Sequence, residues 1–275
     1  MSPSPPRPRP AGRGRPDGWW LLSLPLLAFL LTPILALLGR VEGAHVLANL
    51  HSPIAQKAIA VSLRTTLFST ALVIVAGIPV AQVLARSDSR LRRLVDALVD
   101  LPTVLPPAVA GIALLVTFGR RGLLGGVLEL GGVAIPFTQA AVVLAQVFVS
   151  APFFIKSAAI GFGEVSPDLK QAAGLDGASS WQVFRFVTAP LARSALATGA
   201  ALSWARALGE FGATIIFAGN FPGRTQTMPL AIYIGFELDF NLALTLSAIL
   251  IGLSLITLLL VKWLLRPKGR GDAAA

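Results

Sequence analysis

The sequence predicts an all-α, polytopic membrane protein in which about six transmembrane helices form one bundle. Three observations predict this fold class. Hydrophobic residues make up 55% of the 275 residues and charged residues only 13%, whereas soluble domains carry about 25% charged residues. The mean hydropathy is +0.75. The few charges lie between uncharged apolar runs, several of which are about 20 residues long, the length that crosses a bilayer.

The apolar runs define a transmembrane domain at 19–265 between two polar tails. Residues 1–18 are rich in Pro, Gly and Arg and are expected to be disordered, and 266–275 form the second tail. No small-x-small cleavage site follows the first run, so we expect a retained helix rather than a signal peptide. The spans are expected at 19–38, 63–84, 101–118, 137–155, 194–218 and 242–265.

Apolar residues recur at helical spacing between the second and third spans. They form a single stripe, which suits a helix lying on the membrane surface or against a neighbouring helix. The stripe consists of Leu91, Leu94, Val95, Leu98 and Val99.

The third span opens with Pro102, Pro106 and Pro107. Proline lacks a backbone N–H, and its ring clashes with the preceding helical turn, so this segment cannot begin as a regular helix. Irregular backbone survives at membrane depth only inside protein or beside a water-filled cavity. The third span is therefore expected to face the interior of the bundle.

The basic residues predict the orientation in the membrane. The net charge is +10, and sixteen of the 23 Lys and Arg residues fall on the side of the two termini, against six on the opposite side. Cytoplasmic loops carry such an excess, so both termini are expected in the cytoplasm of a multi-pass plasma-membrane protein. Because the cations lie between apolar runs, we expect membrane lipid and not nucleic acid as the partner of this charge.

A polar stretch at 163–190 predicts a cytoplasmic protrusion of two short helices. Ser166 is a good N-cap and Pro167 suits the first helical position. The first helix should stop near Gly174 or Gly177, and the second should begin after Ser179 or Ser180 and end by Pro190. These propensities alone are equally compatible with an ordinary helix–turn–helix loop.

The spacing within this stretch resembles the EAA loop of ABC importer permeases. The family pattern is Glu-Ala-Ala, three residues, Gly, nine residues, then Ile-x-Leu-Pro. Here Gln171, Val187 and Ala189 replace Glu, Ile and Leu, and the spacing is unchanged. The matching residues are Gln171, Ala172, Ala173, Gly177 and Pro190. The resemblance implies that 163–190 docks onto a separate ATP-hydrolysing subunit, which we expect in two copies.

Two further stretches resemble molybdate permeases, and sulfate permeases share much of both. They are 101–125, from Leu-Pro-Thr-Val-Leu-Pro-Pro to Leu-Leu-Gly, and 206–230, which begins Arg-Ala-Leu-Gly-Glu-Phe-Gly-Ala-Thr. The resemblance implies a permease homodimer, an extracytoplasmic oxyanion-binding protein, and molybdate as substrate, with tungstate or sulfate as alternatives. Together with the prolines it implies a translocation pathway or gate formed by Pro102, Pro106, Pro107, Gly111, Arg206, Glu210, Phe211 and Gly212.

Arg206 and Glu210 lie one helical turn apart in the fifth span. Arg206 would sit about 18 Å into that helix, near mid-bilayer, where a bare charge costs at least about 2.5–3.5 kcal/mol. The spacing allows the two side chains to pair. A pair that fixes helix packing and an element of a pore or gate are both open at this point.

Several function classes lack their sequence signals. No lysine follows a glycine, so a Walker A sequence is excluded and ATP must bind another chain. The chain has no cysteine, no H-E-x-x-H sequence and no convincing triad, so no enzyme, metal site or cofactor is expected. A secondary transporter with Glu210 as proton carrier is an alternative. A membrane assembly factor is another, but it leaves the proline-broken third span unexplained.

Overall fold

The computed structural model describes residues 19–85 and 89–264. The predicted tails at 1–18 and 266–275, and part of the charged loop at 86–88, lie outside these ranges. All regular secondary structure within the described ranges is helical, which confirms the predicted all-α fold.

Fourteen α-helices and one π-helical segment make up the described part of the chain. The π segment, Phe184–Thr188, lies between α9 and α10. The helices are α1 Trp19–Gly39, α2 Gly43–Leu50, α3 Pro53–Leu84, α4 Arg90–Val104, α5 Pro107–Phe118, α6 Gly125–Leu130, α7 Gln139–Gly163, α8 Pro167–Leu175, α9 Ser180–Val183, α10 Ala189–Leu191, α11 Arg193–Leu208, α12 Gly212–Phe217, α13 Met228–Leu238 and α14 Phe240–Leu264.

The chain divides into two compact units. The first ends at Glu42 and contains α1, and the second begins at Gly43 and contains all other described helices. Taken by itself, α1 is an apolar helix of 21 residues with two internal prolines, Pro25 and Pro33. At 1.5 Å per residue it is about 31 Å long, which matches the hydrocarbon core of a bilayer. The first predicted span is therefore present as a helix.

The predicted bundle of about six spans contains both continuous and broken helices. Among the described residues, α1, α3, α7 and α14 are long and apolar enough to cross a bilayer, and α4 with α5 would form a fifth, bent span. The predicted fifth span, 194–218, is not one continuous helix, because it breaks between α11 and α12. The prediction assumed that an uninterrupted apolar run is an uninterrupted helix.

Helix α3 begins ten residues before the predicted second span. Ser52 caps it, since the Ser52 hydroxyl accepts a hydrogen bond from the Ala55 backbone N–H, and Pro53 is its first residue. The polar residues in this first part of α3 hid the helix from a hydropathy-based prediction. One of them, Ser62, is buried and accepts a hydrogen bond from the backbone N–H of Met228 at 2.7 Å.

Helix α7 lies at the centre of the second unit, against both α3 and α11. Small residues allow these contacts. A Cβ on Gly77 of α3 would lie 2.9 Å from the Phe154 ring, and a Cβ on Gly161 would lie 2.4 Å from the Cβ of Ala195 in α11. Membrane helices associate through such close packing because lipid provides no hydrophobic driving force between them.

The ends of several helices meet at one end of this unit. The Ser194 hydroxyl, at the start of α11, donates to the Leu264 carbonyl at the end of α14. The Arg92 side chain in α4 donates to the carbonyl of Leu84 at the end of α3. Helix α7 also ends here and leads into the stretch 163–190. After the role that the sequence predicts for it, we call the stretch 163–190 the docking segment, and this end of the unit the docking end.

Helix α7 continues eight residues past the predicted end of the fourth span, so Lys156 is not in a polar loop. Lys156 belongs to this helix, and its ammonium group pairs with two carboxylates of α4, Asp96 and Asp100. The distance to Asp100 is 2.8 Å. The sequence did not indicate this cluster because its members are about 60 residues apart.

Candidate functional site

The third span breaks at the predicted prolines. Helix α4 ends at Val104 and α5 starts at Pro107, and the two helix axes differ by 114°. Pro106 is extended, with φ −54° and ψ 135°, and precedes the first residue of α5. Pro102 does not break the chain, because it lies within α4. The prediction is thus confirmed for Pro106 and Pro107 and wrong for Pro102.

The fifth span also breaks. Helix α11 ends at Leu208, with Gly209 as its C-cap, and α12 begins at Gly212. Phe211 precedes α12 with φ −127° and ψ −55°, outside the helical region. Arg206 is therefore in the last turn of α11, and Glu210 lies in the break.

The Glu210 carboxylate joins the two sides of this break. One oxygen, Oε2, accepts a hydrogen bond from the Arg206 guanidinium at 2.9 Å. The other, Oε1, accepts one from the Ala213 backbone N–H at 2.8 Å. The Glu210 side chain is 1% exposed and that of Arg206 is 31% exposed. The predicted pair forms, and the same carboxylate satisfies a donor in the first turn of α12.

The half-helices α5 and α12 pack in parallel, with their first residues side by side. A Cβ on Gly212 would lie 2.5 Å from the Cβ of Pro107, and a Cβ on Gly111 would lie 2.9 Å from the Ala213 carbonyl oxygen. No other residue type fits at Gly111 or Gly212 without displacing a helix. The structure therefore brings together Pro107, Gly111, Glu210, Phe211 and Gly212, while Pro102 lies apart in α4.

Two contacts of side chains near the break were not predicted from the sequence. The Phe211 ring lies 5.3 Å from the Tyr233 ring of α13. The Trp204 indole N–H, in α11, donates to the Thr66 hydroxyl of α3 at 3.1 Å. Their position within apolar spans is the one sequence signal for these contacts, because polar side chains within spans commonly form hydrogen bonds between helices.

The docking segment begins as predicted. The Ser166 hydroxyl caps α8 by accepting from the Asp168 backbone N–H, and α8 ends at Leu175. Gln171 and Ala172 are exposed and Ala173 is half-buried. The Lys170 ammonium donates to the Phe162 carbonyl at 3.0 Å and so ties α8 back to the end of α7.

Gly177 provides the turn between the two short helices. Its φ of +86° lies in the left-handed region, which side chains other than glycine rarely adopt. The backbone N–H groups of Asp176 and Ala178 donate to the carbonyls of Ala172 and Ala173, and these bonds close the turn. No atom lies within 4 Å of a Cβ built on Gly177. The side of Gly177 on which a side chain would project is open.

The second short helix does not end by Pro190 as predicted. Helix α9 starts at Ser180 with a Ser179–Gln182 capping box and continues through the π segment into α10. The backbone N–H of Ala189 donates to the Phe184 carbonyl, one residue further back than in an α-helix. This wider turn accommodates Pro190 within the helical path. Pi-helical bulges of this kind often occur at functional sites.

Large apolar side chains project from the docking segment. Leu175 is 89% exposed, Trp181 64% and Phe186 68%. Exposed large apolar side chains on a polar segment are typical of an interaction surface. Their helical context was predictable, but their exposure was not.

Three comparisons with known proteins agree with this architecture. Residues 73–266 match the family described as "Binding-protein-dependent transport system inner membrane component". The chain is 42% identical over 233 residues to the molybdenum transport system permease protein ModB of Mycobacterium tuberculosis, covering 85% of this chain and 88% of that protein. It is 34% identical over 247 residues to a probable sulfate transport system permease protein, cysT, of Chlorokybus atmophyticus, covering 87% and 85%.

The fold also matches solved structures. The crystal structure of a bacterial alginate ABC transporter, in complex with a periplasmic protein bound to an alginate pentasaccharide, contains a chain that superposes with a TM-score of 0.69. The identity is 17%, and the match covers 90% of this chain and 93% of the other. The broken spans, the docking segment and these matches lead to one conclusion. The chain belongs to the family of inner membrane components of binding-protein-dependent transport systems, and it is a membrane permease subunit rather than an enzyme.

Proposed function

We propose that the chain is the permease subunit of an ATP-binding-cassette importer that moves molybdate across the cytoplasmic membrane. The observation that carries the proposal is the 42% identity to ModB over 85% of the chain. Sulfate is the second candidate, because the cysT relative is 34% identical over a similar length. Tungstate has the same tetrahedral dianion chemistry as both.

The proposed partners are two copies of an ATPase subunit, a second copy of the permease and an extracytoplasmic oxyanion-binding protein. The docking segment supports the ATPase, since Leu175, Trp181 and Phe186 present an apolar surface there. The binding protein would dock at the opposite end, near the exposed residues Arg120 and Arg224. Both partner types fit a family whose members work with binding proteins.

In the proposed mechanism, closure of the two ATPases moves the docking segments, and the permease alternates between inward-open and outward-open states. Helix α7 joins the docking segment to the bundle, and its Lys156 side chain holds α4. Helix α4 leads into α5, which packs on α12 at the break of the fifth span. This chain of contacts is the route we propose from ATP hydrolysis to the gate.

The geometry favours weak binding of the oxyanion along the pathway. The carboxylate of Glu210 neutralises Arg206 and satisfies Ala213, so this guanidinium does not offer an unpaired charge to a dianion. Selectivity would then reside mainly in the external binding protein. The same pairing counts against Glu210 as the carrier in a proton-coupled transporter, because both of its oxygens already accept hydrogen bonds.

The proposed orientation places both termini and the docking segment in the cytoplasm. Because the chain has no cysteine, single cysteines can be introduced at Ser179 in the docking segment and at Arg224 at the opposite end. Both positions are exposed, whereas the neighbouring Thr225 is buried and unsuitable. In intact cells an impermeant maleimide should label only Arg224→Cys. Labelling of Ser179→Cys would show that the docking segment faces outward.

The docking role of Gly177 is tested by Gly177→Trp. We expect membrane insertion to persist, but transport and ATPase binding to be lost, because the open side of the turn would be filled and the φ of +86° strained. Gly132 provides the matched control, since it has a φ of +68°, has no atom within 4 Å of its Cβ position and follows α6 rather than α8. Gly132→Trp should retain ATPase binding in co-purification. If Gly177→Trp bound the ATPase as well as Gly132→Trp does, the docking segment would not be the ATPase-binding site.

Glu210→Gln tests the joint at the fifth span. Glutamine can still accept from the Ala213 N–H, but it leaves the Arg206 guanidinium without its counter-charge. We expect a loss of stability of about 1–3 kcal/mol, measured by thermal unfolding of the purified protein, together with reduced uptake. The double variant Arg206→Gln/Glu210→Gln should regain most of the stability. If it regains uptake as well, the pair is a packing element and not a gate.

The substrate is tested by deleting the gene. We expect loss of molybdoenzyme activity, restored by high external molybdate or by the native gene on a plasmid. Sequence identity supports molybdate better than sulfate. A cell that cannot import molybdate cannot supply molybdenum to its molybdoenzymes. Sulfur auxotrophy with normal molybdoenzyme activity would assign sulfate instead.

A further inference from the structure

Helix α4 has one face directed towards the protein. Val95 and Val99 pack against the core formed by α3, α7 and α11. The residue after each valine, Asp96 or Asp100, pairs with Lys156 of α7. Apolar contacts and ion pairs thus attach the same side of α4 to the bundle.

The other face of α4 carries four exposed leucines. Leu91, Leu94, Leu98 and Leu101 are spaced three, four and three residues apart, the pattern of one helical face. Their exposed fractions are 63%, 58%, 58% and 51%. The predicted single stripe is therefore divided, since its valines are packed on protein and its leucines are not.

The direction of α4 indicates what covers these leucines. Its axis differs from that of α5 by 114°, so if α5 crosses the bilayer, α4 lies across the bilayer normal rather than along it. The Arg92 contact with Leu84 places the start of α4 at the docking end of α3. An amphipathic helix in this position lies at the boundary between head groups and acyl chains.

The charges on α4 complement an anionic lipid surface. Carboxylates on a membrane-surface helix would repel anionic head groups, but here Lys156 pairs with both Asp96 and Asp100 and offsets one of their two negative charges. The exposed cation Arg90 precedes the leucines at the start of the helix. Basic residues beside an apolar face are typical of helices that bind anionic membranes.

We propose that α4 is a membrane-surface helix that binds anionic phospholipid. Acyl chains of the leaflet at the docking end cover Leu91, Leu94, Leu98 and Leu101, and the head groups contact Arg90. Lipid thereby forms part of the support of the segment that leads into the break at Pro106. The proposal concerns a lipid contact and does not depend on which oxyanion is transported.

Spin labels on single cysteines test the lipid contact in the full-length chain. The chain is reconstituted in vesicles of phosphatidylcholine and phosphatidylglycerol, with labels at Leu94→Cys and Leu98→Cys and a control label at Arg90→Cys. Relaxation by oxygen, which concentrates in lipid, is compared with relaxation by a water-soluble nickel chelate. The oxygen-to-nickel ratio should be at least about threefold higher at the two leucine positions than at the control, as expected for a face buried among acyl chains.

Two outcomes would overturn the lipid contact. Low accessibility to both reagents, with spin–spin broadening between labels, would show that a second copy of the chain covers the leucines. High accessibility to the nickel chelate would show that they face water. Each labelled variant is first checked for its elution volume, so that misfolded protein is not measured.

The head-group part is tested separately with spin-labelled phosphatidylglycerol and phosphatidylcholine. The native chain should restrict phosphatidylglycerol preferentially, and Arg90→Gln should lower this preference by about fivefold, since a surface cation contributes on the order of 1 kcal/mol. Arg224→Gln, at the opposite end, is the matched control and should lower it less. An unchanged preference in the α4 variant would overturn head-group binding.

Discussion

The constraint on which the structure depends is the need to satisfy backbone hydrogen-bonding groups wherever a span breaks. Water is absent from the bilayer core, so every unpaired N–H there is costly. At the fifth span, Glu210 accepts from Ala213 and holds Arg206. At the third, Pro107 opens α5 without an N–H to satisfy. The two solutions differ chemically, yet both allow a helix to begin again at membrane depth, and the two new helices pack on each other.

These breaks explain which parts of the fold the sequence could predict. Proline signals its own effect, so the break at Pro106 was predictable. The fifth span has only Gly209 and Gly212 beside its break, and glycine is common in intact membrane helices, so composition gave no signal. Helix α3 was predicted too short for the opposite reason. Its polar residues looked like loop, because their partners, such as Met228 for Ser62, lie far away in the sequence.

The candidate site divides in the same way. The docking segment is local, and its caps at Ser166 and Ser179 follow from residues three or fewer positions away, so prediction succeeded there. It failed at Pro190, because a π turn forms where an α-helical turn was assumed. The residues of the proposed pathway that come together lie in α5, α11, α12 and the break between the last two, and their contacts depend on packing between segments about 100 residues apart. Only the Arg206–Glu210 pair, one turn apart, was visible beforehand.

The close packing of helix α7 supports the proposed route from the docking segment to the gate. Its Gly161 leaves no room for a methyl group against Ala195, and Gly77 of α3 lies against Phe154 in the same way. Contacts this close leave little slack, because side chains cannot deform to absorb a displacement of the helix. A shift of the docking segment would therefore move α7 with α3 and α11 as one body. In the proposed mechanism the bending would then fall on the break at 209–211 and the bend before Pro107, because the half-helices α12 and α5 join the rest of the chain there.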